Sequence, residues 1–345
     1  MESFFMFLAR SLAAAVNRRL GVALCALAAG LAGCGGNSSR SEAYVPDRMV
    51  TFGDELSTIT TTGAPSSQNG LKYSINAIAS SGTTTDCSLA PVWPQVVAQY
   101  LGMVYAECNP SNVTPTAFMR ASAGETVATV VAKMEAYRVD PANGVSPKTL
   151  VTVMAGQNDV IQAMEDYKAG SASAADIRAR MTTLGTQLGD AINAMAAQGN
   201  GARVLFALLP RISTSPYARD SRFTDADRQM LQQLVDGDTS TDYGGFNGAL
   251  RLRVTNNGRW AAMIVTEVYF SPYITRDISA TGLTNNSDAA CLSSAPVPTC
   301  TTNTLVSGAA SSTTTYLWAN DRLMTPLGHS AIGNEGSRQI RQGAF

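Results

Sequence analysis

Short apolar runs that alternate with helical segments constrain the fold of this chain more than any other feature. The predicted strands are Arg48–Phe52, Met103–Ala106, Thr149–Ala155, Arg203–Leu209 and Ala261–Val268. The segments with helical periodicity are Trp93–Leu101, Ala123–Tyr137, Ala174–Gln198, Thr224–Val235, Gly245–Asn256 and Pro326–Ile340. Continuous apolar strands alternating with helices are typical of a parallel sheet covered on both faces. The pattern predicts an α/β fold, a three-layer sandwich around a central, mostly parallel sheet.

The N-terminal segment resembles a bacterial export signal. Arg18-Arg19 precedes an uncharged, mostly apolar run, Leu20–Gly33, which is shorter than the roughly 20 residues that span a bilayer. The run ends at Cys34 in the order Leu-Ala-Gly-Cys, which resembles the lipobox, where a cysteine receives a lipid. We therefore predict a signal peptide over 1–33 and a flexible tether over 34–45. A plain secretory signal or an N-terminal anchor helix is the alternative.

These features predict a location and a domain plan. A lipid on Cys34 would attach the protein to a membrane of the bacterial cell envelope, at the outer membrane or facing the periplasm. Residues 46–345 then form a single domain, which is long enough to bury a sizeable core.

Four cysteines lie beyond the export signal, in two neighbourhoods of the sequence. Cys87 and Cys108 form the first pair of neighbours, and Cys291 and Cys300 form the second. Four cysteines allow three connectivities, and the local one closes the shortest loops. We predict disulfides Cys87–Cys108 and Cys291–Cys300, since the envelope is oxidising. A zinc site is the alternative, and the absence of CxxC spacing and of nearby histidines argues against it.

Charge excludes one class of partner. The formal net charge is −1, and the sequence contains no run of Lys or Arg. Nucleic acid is therefore not an expected partner. The sequence predicts neither a cofactor nor a metal centre.

Polar segments follow the predicted strands. Gly53-Asp54-Glu55-Leu56-Ser57 follows the first strand, and Gly156-Gln157-Asn158-Asp159 follows Thr149–Ala155. Gly124 lies in a further polar segment, 120–126, and Asp321-Arg322-Leu323-Met324 precedes the last helix. In open parallel sheets, ligands bind outside the carboxyl ends of the strands. The sequence therefore predicts a site at that edge.

In this order the four segments resemble the sequence blocks of SGNH/GDSL hydrolases, over about residues 46–340. The resemblance implies the flavodoxin-like fold of that family and ester hydrolysis by a Ser-His-Asp triad. It assigns Glu55 to the nucleophile position, Asp321 to the acid and Met324 to the base. It also assigns Gly124 and Asn158 to the oxyanion hole, the group of donors that stabilises a negatively charged reacting oxygen.

Two of the three triad positions hold residues that cannot do this chemistry. Glu55 has no hydroxyl, and Met324 has no titratable proton. The only histidine in the chain, His329, falls within the last predicted helix, and we interpret it as structural. We predict that the Glu55 carboxylate occupies the oxyanion hole itself, because the same donors would stabilise it. The alternative for each segment is a simple turn or helix cap.

Three classes of function remain open. The first is a non-catalytic envelope lipoprotein that binds a glycan or an acyl chain. The second is a hydrolase of ester or glycosidic bonds that uses Glu55 and Asp321 as a carboxylate pair. The third is a structural envelope component with a closed pocket. Hydrolysis would distinguish the second class, and a ligand retained on purification would distinguish the first from the third.

Overall fold

The computed structural model describes residues 44–80, 82–142, 144–197, 200–238, 244–256, 258–275, 283–309 and 315–342. By its contacts the chain divides into Met1–Glu42 and Ala43–Phe345. The predicted signal peptide and Cys34 lie outside the described residues. Within the described residues, no helix combines the length and the apolar character needed to cross a membrane.

The main sheet has five parallel strands. The strands of the chain are β1 (Arg48–Gly53), β2 (Ile59–Thr60), β3 (Leu71–Lys72), β4 (Ala117–Met119), β5 (Thr149–Met154), β6 (Arg203–Ala207), β7 (Ala261–Ile264), β8 (Asn285–Ala289) and β9 (Tyr316–Trp318). The order in the sheet is β4-β1-β5-β6-β7, and every pairing is parallel. β2 pairs with β3 and β8 with β9 in two small ribbons. The central strand β5 is buried along its whole length, as its apolar sequence predicts.

Helices cover the sheet. They are α1 (Trp93–Tyr100), α2 (Val127–Arg138), α3 (Gln157–Lys168), α4 (Ala174–Met195), α5 (Pro216–Arg219), α6 (Asp225–Asp236), α7 (Gly245–Arg253), α8 (Thr266–Thr275) and α9 (Pro326–Arg341). A 3-10 turn, Ile212–Thr214, precedes α5. Helices α1, α8 and α9 form one packed group, and α2, α3, α4, α6 and α7 form another.

The two groups lie on opposite faces of the sheet. Phe52 and Phe206 point to the same face because both are in register with Val153 of β5. The ring of Phe52 packs edge-on against Tyr137 of α2, with the centroids 5.8 Å apart. Leu205 therefore points to the other face, and its side chain packs against Gly336 of α9. The predicted three-layer α/β fold is confirmed.

Both predicted disulfides are formed. Cys87–Cys108 joins Cα atoms 5.6 Å apart, and Cys291–Cys300 joins Cα atoms 5.9 Å apart. Each stabilises the fold by about 3 kcal/mol on the loop-entropy account, given separations of 21 and 9 residues.

One predicted strand is wrong. Residues 103–106 form no strand, and the edge of the sheet is β4 instead. Tyr105 makes an isolated bridge to Ala117, and its hydroxyl shares a hydrogen bond of 2.5 Å with Thr51. The segment is apolar because Met103 and Tyr105 fill the core from a connecting loop, and burial alone does not distinguish a strand from a buried loop.

Other boundaries also shift. The strand predicted to reach Val268 ends at Ile264, because helix α8 begins at Thr266. Helix α2 begins at Val127 rather than Ala123, since the Thr126 hydroxyl caps it by accepting from the Thr129 amide.

Candidate active site

The end of β1 presents Asp54 and Glu55 at the carboxyl edge of the sheet. Gly53 is required there because its φ is +142°, and a Cβ would lie 2.1 Å from the Met154 carbonyl oxygen on β5. The chain therefore turns sharply where the strand ends.

The Glu55 carboxylate is held by two donors from two other loops. The Gly124 backbone N–H donates to Glu55 Oε1 at 2.9 Å, and the Asn158 side-chain amide donates to Glu55 Oε2 at 2.8 Å. The sequence resemblance assigns these two donors to the oxyanion hole, and the structure brings both to Glu55. Backbone and amide N–H groups that converge on one anion stabilise its charge.

The two donor loops are tied to each other. The Asn158 amide also donates to the Glu125 carbonyl at 3.0 Å, and Asp159 Oδ2 accepts from the Val127 amide at 2.9 Å. The second contact also satisfies one of the free amides at the start of α2. The donors are therefore fixed before any ligand arrives.

Gly156 places Asn158 by its backbone geometry. It is the N-cap of α3 with φ +118°, and a Cβ there would meet the Phe246 ring at 2.6 Å. Only glycine allows β5 to pass directly into a helix whose first turn carries Asn158 and Asp159. The segment is thus both a helix start and a donor loop.

Asp54 is a buried carboxyl beside Glu55. Its Oδ1 accepts from the Leu56 amide at 3.0 Å, and its Oδ2 has no partner among the described residues. Burial, followed by the charge of Glu55, raises the pKa of Asp54 to about 8. Asp54 is therefore mostly protonated at neutral pH, so Glu55 has no charged carboxylate directly next to it in the chain.

Met324 is fully buried away from solvent. Its carbonyl accepts from the Ser74 hydroxyl at 2.7 Å, and its sulfur lies 2.9 Å from where a Cβ on Gly328 would stand. Its thioether fills the space under the start of α9, which suits the adaptable shape of methionine. It supplies no group that could accept a proton from a nucleophile.

Asp321 has a cation as its partner. Its Oδ2 pairs with Arg322 Nη1 at 3.1 Å, and its side chain is 46% exposed. The Asp321 carbonyl accepts from the Tyr217 amide at 2.7 Å, which fixes this loop against α5. Where a triad acid would orient an imidazole, this carboxylate lies beside a guanidinium.

His329 is buried in α9. Neither imidazole nitrogen has a hydrogen-bond partner within the described residues. Burial, followed by the nearby charge of Lys72, lowers the pKa of His329 to about 3. Lys72 is itself buried, donates to the carbonyls of Cys87 and Leu89, and has its pKa lowered to about 7 by burial. The imidazole is therefore neutral and packed as an apolar group.

Ser57 does not provide a substitute nucleophile. It is fully buried, and its hydroxyl accepts from the Trp93 indole N–H at 3.1 Å. The same hydroxyl packs against Gly53 at the strand end. Ser57 supports the turn after β1 and has no access to a ligand.

Sequence reasoning missed two members of this site. The sequence resemblance assigns no role to Asp54, although its position next to Glu55 predicts charge repulsion between two carboxyls. Arg322 was not singled out, and its adjacency to Asp321 is the signal that would have found it. No cluster of three or more potential metal ligands occurs in the described part of the chain.

The family model for GDSL-like lipase/acylhydrolase matches residues 49–251. This match covers more than half of the chain and contains β1, both donor loops and β6. The protein therefore belongs to the GDSL-like lipase/acylhydrolase family, as the sequence blocks predict. No curated protein sequence gives a significant match.

The similar solved structures include three lipolytic proteins. One is a lipolytic G-D-S-L family protein from Veillonella parvula DSM 2008, with TM-score 0.38 and 12% identity over 84% of this chain and 94% of that one. Another is phospholipase A1 from Streptomyces albidoflavus NA297, with TM-score 0.41 and 17% identity over 84% of this chain and 98% of that one. The third is the lipase Lip_vut3 from a goat rumen metagenome, with TM-score 0.36 and 14% identity over 65% of this chain and 82% of that one. These identities are too low to transfer an activity.

Proposed function

We propose that this protein is a non-catalytic member of its family, an envelope lipoprotein that binds a glycan- or acyl-type ligand. The observation that carries the proposal is the position of Glu55. Its two carboxylate oxygens accept from the Gly124 N–H and the Asn158 amide, the donors that the family directs at a reacting oxygen. Neither donor is therefore free to bind a substrate oxygen.

The residues around Glu55 support the loss of ester chemistry. Met324 cannot accept a proton, and His329 is buried within α9. A triad acts as a unit, so a chain that lacks both the hydroxyl and the base retains little of its rate. The neutral imidazole of His329 has no path to a ligand because it is completely enclosed.

A carboxylate-pair hydrolase is the alternative that the sequence leaves open. One carboxyl of such a pair must carry the proton given to the leaving group. Both oxygens of Glu55 accept N–H hydrogen bonds, and Asp321 lies beside Arg322. Both carboxyls are thus already engaged by N–H donors of the protein, so we place this alternative second.

Two assays test the proposed function. Purified protein should hydrolyse short-chain nitrophenyl esters no faster than a heat-denatured sample, and its glycoside hydrolysis should be equally absent. Extraction of the purified protein, followed by mass spectrometry, should recover a bound glycan or acyl compound. Turnover above the denatured control would overturn the non-catalytic assignment, and an empty extract would favour a structural component with a closed pocket.

Carboxylate rescue tests the role of Glu55 directly. Glu55→Ala should leave the Gly124 N–H and Asn158 amide without an acceptor, so added acetate should raise its melting temperature. The wild-type protein and Glu135→Ala, which removes an exposed carboxylate on α2, should not respond. An equal response of all three proteins to acetate would contradict an anion site at Glu55.

Anchoring has its own test. Cys34→Ala should abolish incorporation of labelled palmitate and release the protein from the membrane fraction. Labelling that persists in this variant would contradict a lipid on Cys34.

A further inference from the structure

A cavity of about 440 Å³ lies beside the 3-10 turn and helix α5, and the site around Glu55 does not use it. It is lined by Ser213, Thr214, Arg219 and Arg228. Two of these four residues are cationic and none is acidic. Its volume falls in the range of about 300 to 1,000 Å³ that is typical of small-molecule pockets.

Arg219 is held in place with most of its donors unused. Its Nε donates to the Thr214 carbonyl at 3.3 Å, and this exposed side chain lines the cavity. Arg219 forms no ion pair with a carboxylate of the described residues. Arg222, three residues further along, is paired with Glu165 and Asp220. The two terminal nitrogens of Arg219 therefore retain a planar fork of donors, the arrangement that suits phosphate oxygens.

Arg228 supplies the second cation. Its Nη1 donates to the Phe223 carbonyl at 3.0 Å and more weakly to the Ala218 carbonyl at 3.4 Å. Its Nη2 pairs with Asp225, whose side chain is 91% exposed. Such an exposed pair is weak and exchanges readily with solvent or with another anion. The backbone contacts fix the guanidinium, and the cavity keeps a net positive charge.

Ser213 adds a hydroxyl to the cavity wall. The residue is 9% exposed and lines the cavity, and its hydroxyl oxygen is not one of the enclosed polar atoms that lack a partner among the described residues. Solvent therefore reaches this hydroxyl, and a ligand oxygen can replace that solvent. Thr214 differs, because its hydroxyl donates to the Arg211 carbonyl at 2.9 Å. Ser213 thus offers one free donor next to two cations.

We propose that this cavity binds the phosphate group of a small molecule. Arg219 contributes the bidentate fork, Arg228 the second positive charge and Ser213 a hydroxyl donor. The inference does not rest on the proposed function of the Glu55 site, because it uses none of the same residues. Ser213 follows β6, so the cavity lies towards the same carboxyl edge of the sheet as Glu55.

Calorimetric titration with inorganic phosphate tests the proposal, with chloride at the same ionic strength as the reference. Wild-type protein should bind phosphate saturably. Arg219→Gln should weaken binding about tenfold or more, since it removes a charged group that donates hydrogen bonds to the phosphate. Ser213→Ala should weaken binding by a smaller factor. Arg178→Gln, on the exposed face of α4, is the matched control and should bind as the wild type does.

Folding is controlled independently. Circular dichroism must match the wild type for each variant, and Arg219→Lys provides a second variant that keeps the charge but loses the fork. It should bind with intermediate affinity. Absence of saturable phosphate binding by the wild type, or equal affinities for the wild type and Arg219→Gln, would overturn the proposal.

A second pair of ligands identifies the source of the phosphate. Arg219-dependent binding of glycerol 3-phosphate would support a soluble phosphate ester. Arg219-dependent binding to vesicles of phosphatidylcholine and phosphatidic acid in equal amounts would support a lipid headgroup. Vesicle binding that Arg219→Gln and Arg178→Gln weaken equally would overturn a built site, because it would reflect surface charge alone.

Discussion

At residue 55 the chain has a carboxylate where the sequence resemblance places a hydroxyl, and the surrounding donors suit the carboxylate. A serine would leave the Gly124 N–H and the Asn158 amide free for a substrate oxygen. Glu55 instead accepts a hydrogen bond from each of them, from the Gly124 N–H at 2.9 Å and from the Asn158 amide at 2.8 Å. On the proposed function, the Glu55 side chain takes the place where negative charge would develop during ester hydrolysis, because the same donors suit a carboxylate.

His329 is expected to remain neutral in the folded protein. The chain has one histidine, so NMR of the imidazole reports this residue alone. Its pKa is lowered from 6.5 to about 3, and its signals should not shift as the pH falls through 6.5. The unfolded state takes up a proton in that window and the folded state does not, so His329 makes the free energy of unfolding fall with acidification from 6.5 towards 3. A folded-state midpoint near the ordinary value would contradict the buried placement.

Asp54 should affect stability in the opposite direction. Its pKa is raised from 3.8 to about 8, so the folded state retains a proton that the unfolded state releases as the pH rises between these values. The contribution of Asp54 to the free energy of unfolding is therefore lost progressively across that window. Asp54→Asn, followed by urea denaturation, should become more stable relative to the wild type as the pH rises from 3.8 to about 8.

The control for Asp54 is an exposed acid at the other end of β1. Asp47→Asn removes a carboxylate that is 67% exposed and pairs with Lys148. It is the matched exposed-site variant for the same series of urea denaturations. If Asp54→Asn and the wild type kept a constant difference in stability across the window, Asp54 would not be protonated in the fold.

At the scale of elements, helix α3 carries the donor Asn158 and is bounded by two glycines with positive φ. Gly156 begins it with φ +118°, and Gly170 follows its end with φ +71°. A Cβ at Gly156 would collide with the Phe246 ring, whereas a Cβ at Gly170 would meet nothing within 4 Å. Alanine substitutions at the two positions therefore separate the cost of a positive φ from the cost of steric overlap.

Gly156→Ala should therefore destabilise the protein more than Gly170→Ala does. Gly170→Ala should cost about 1 to 2 kcal/mol for the left-handed backbone alone. Gly156→Ala should cost roughly a further 1 to 3 kcal/mol for the overlap with Phe246. Chemical denaturation of both variants measures the difference. Equal losses would show that the helix start tolerates displacement, and that Asn158 is not rigidly placed.

The sequence predicts most of the central elements for an identifiable reason. β1, β5 and β6 are continuous apolar runs because both faces of the sheet are covered. The strand predicted at 103–106 fails because its buried residues, Met103 and Tyr105, fill the core from a loop beside the Cys87–Cys108 disulfide. The true edge strand, β4, is short and has Phe118 exposed, so neither apolar periodicity nor length marks it. Ribbon β8–β9 depends on long-range pairing that local patterns do not contain.

At the scale of the whole molecule, three separate segments of sequence meet at Glu55, and the Gln157 side-chain amide links the fourth to them by donating to the Arg322 carbonyl at 3.2 Å. Their order and their place after strands predict which segments meet, because parallel strands bring their carboxyl ends to one edge. Partners that depend on side-chain direction could not be predicted in this way. The pairing of Asp321 with Arg322 and the raised pKa of Asp54 require knowledge of burial and of the path of each loop.

The proposed loss of ester chemistry should be reversible if the scaffold is otherwise intact. Glu55→Ser restores the hydroxyl and frees both donors, and Met324→His restores a base that Asp321 could orient. Either change alone should do little, because triad members act as a unit. When added to the double variant, Asp321→Asn should reduce any gain in ester hydrolysis. Ser57→Ala should not reduce it, provided that loss of the hydrogen bond from Trp93 to the buried Ser57 hydroxyl leaves the fold unchanged.

The most direct test of this account is nitrophenyl ester hydrolysis by the Glu55→Ser/Met324→His double variant, once circular dichroism shows it to be folded as the wild type. The account predicts hydrolysis above the wild type and above each single variant, and a loss of that hydrolysis when Asn158→Ala removes the amide donor, by about a hundredfold or more. A folded double variant that is inert towards a broad panel of esters would contradict the assignment of Glu55, Gly124 and Asn158 to a blocked catalytic site.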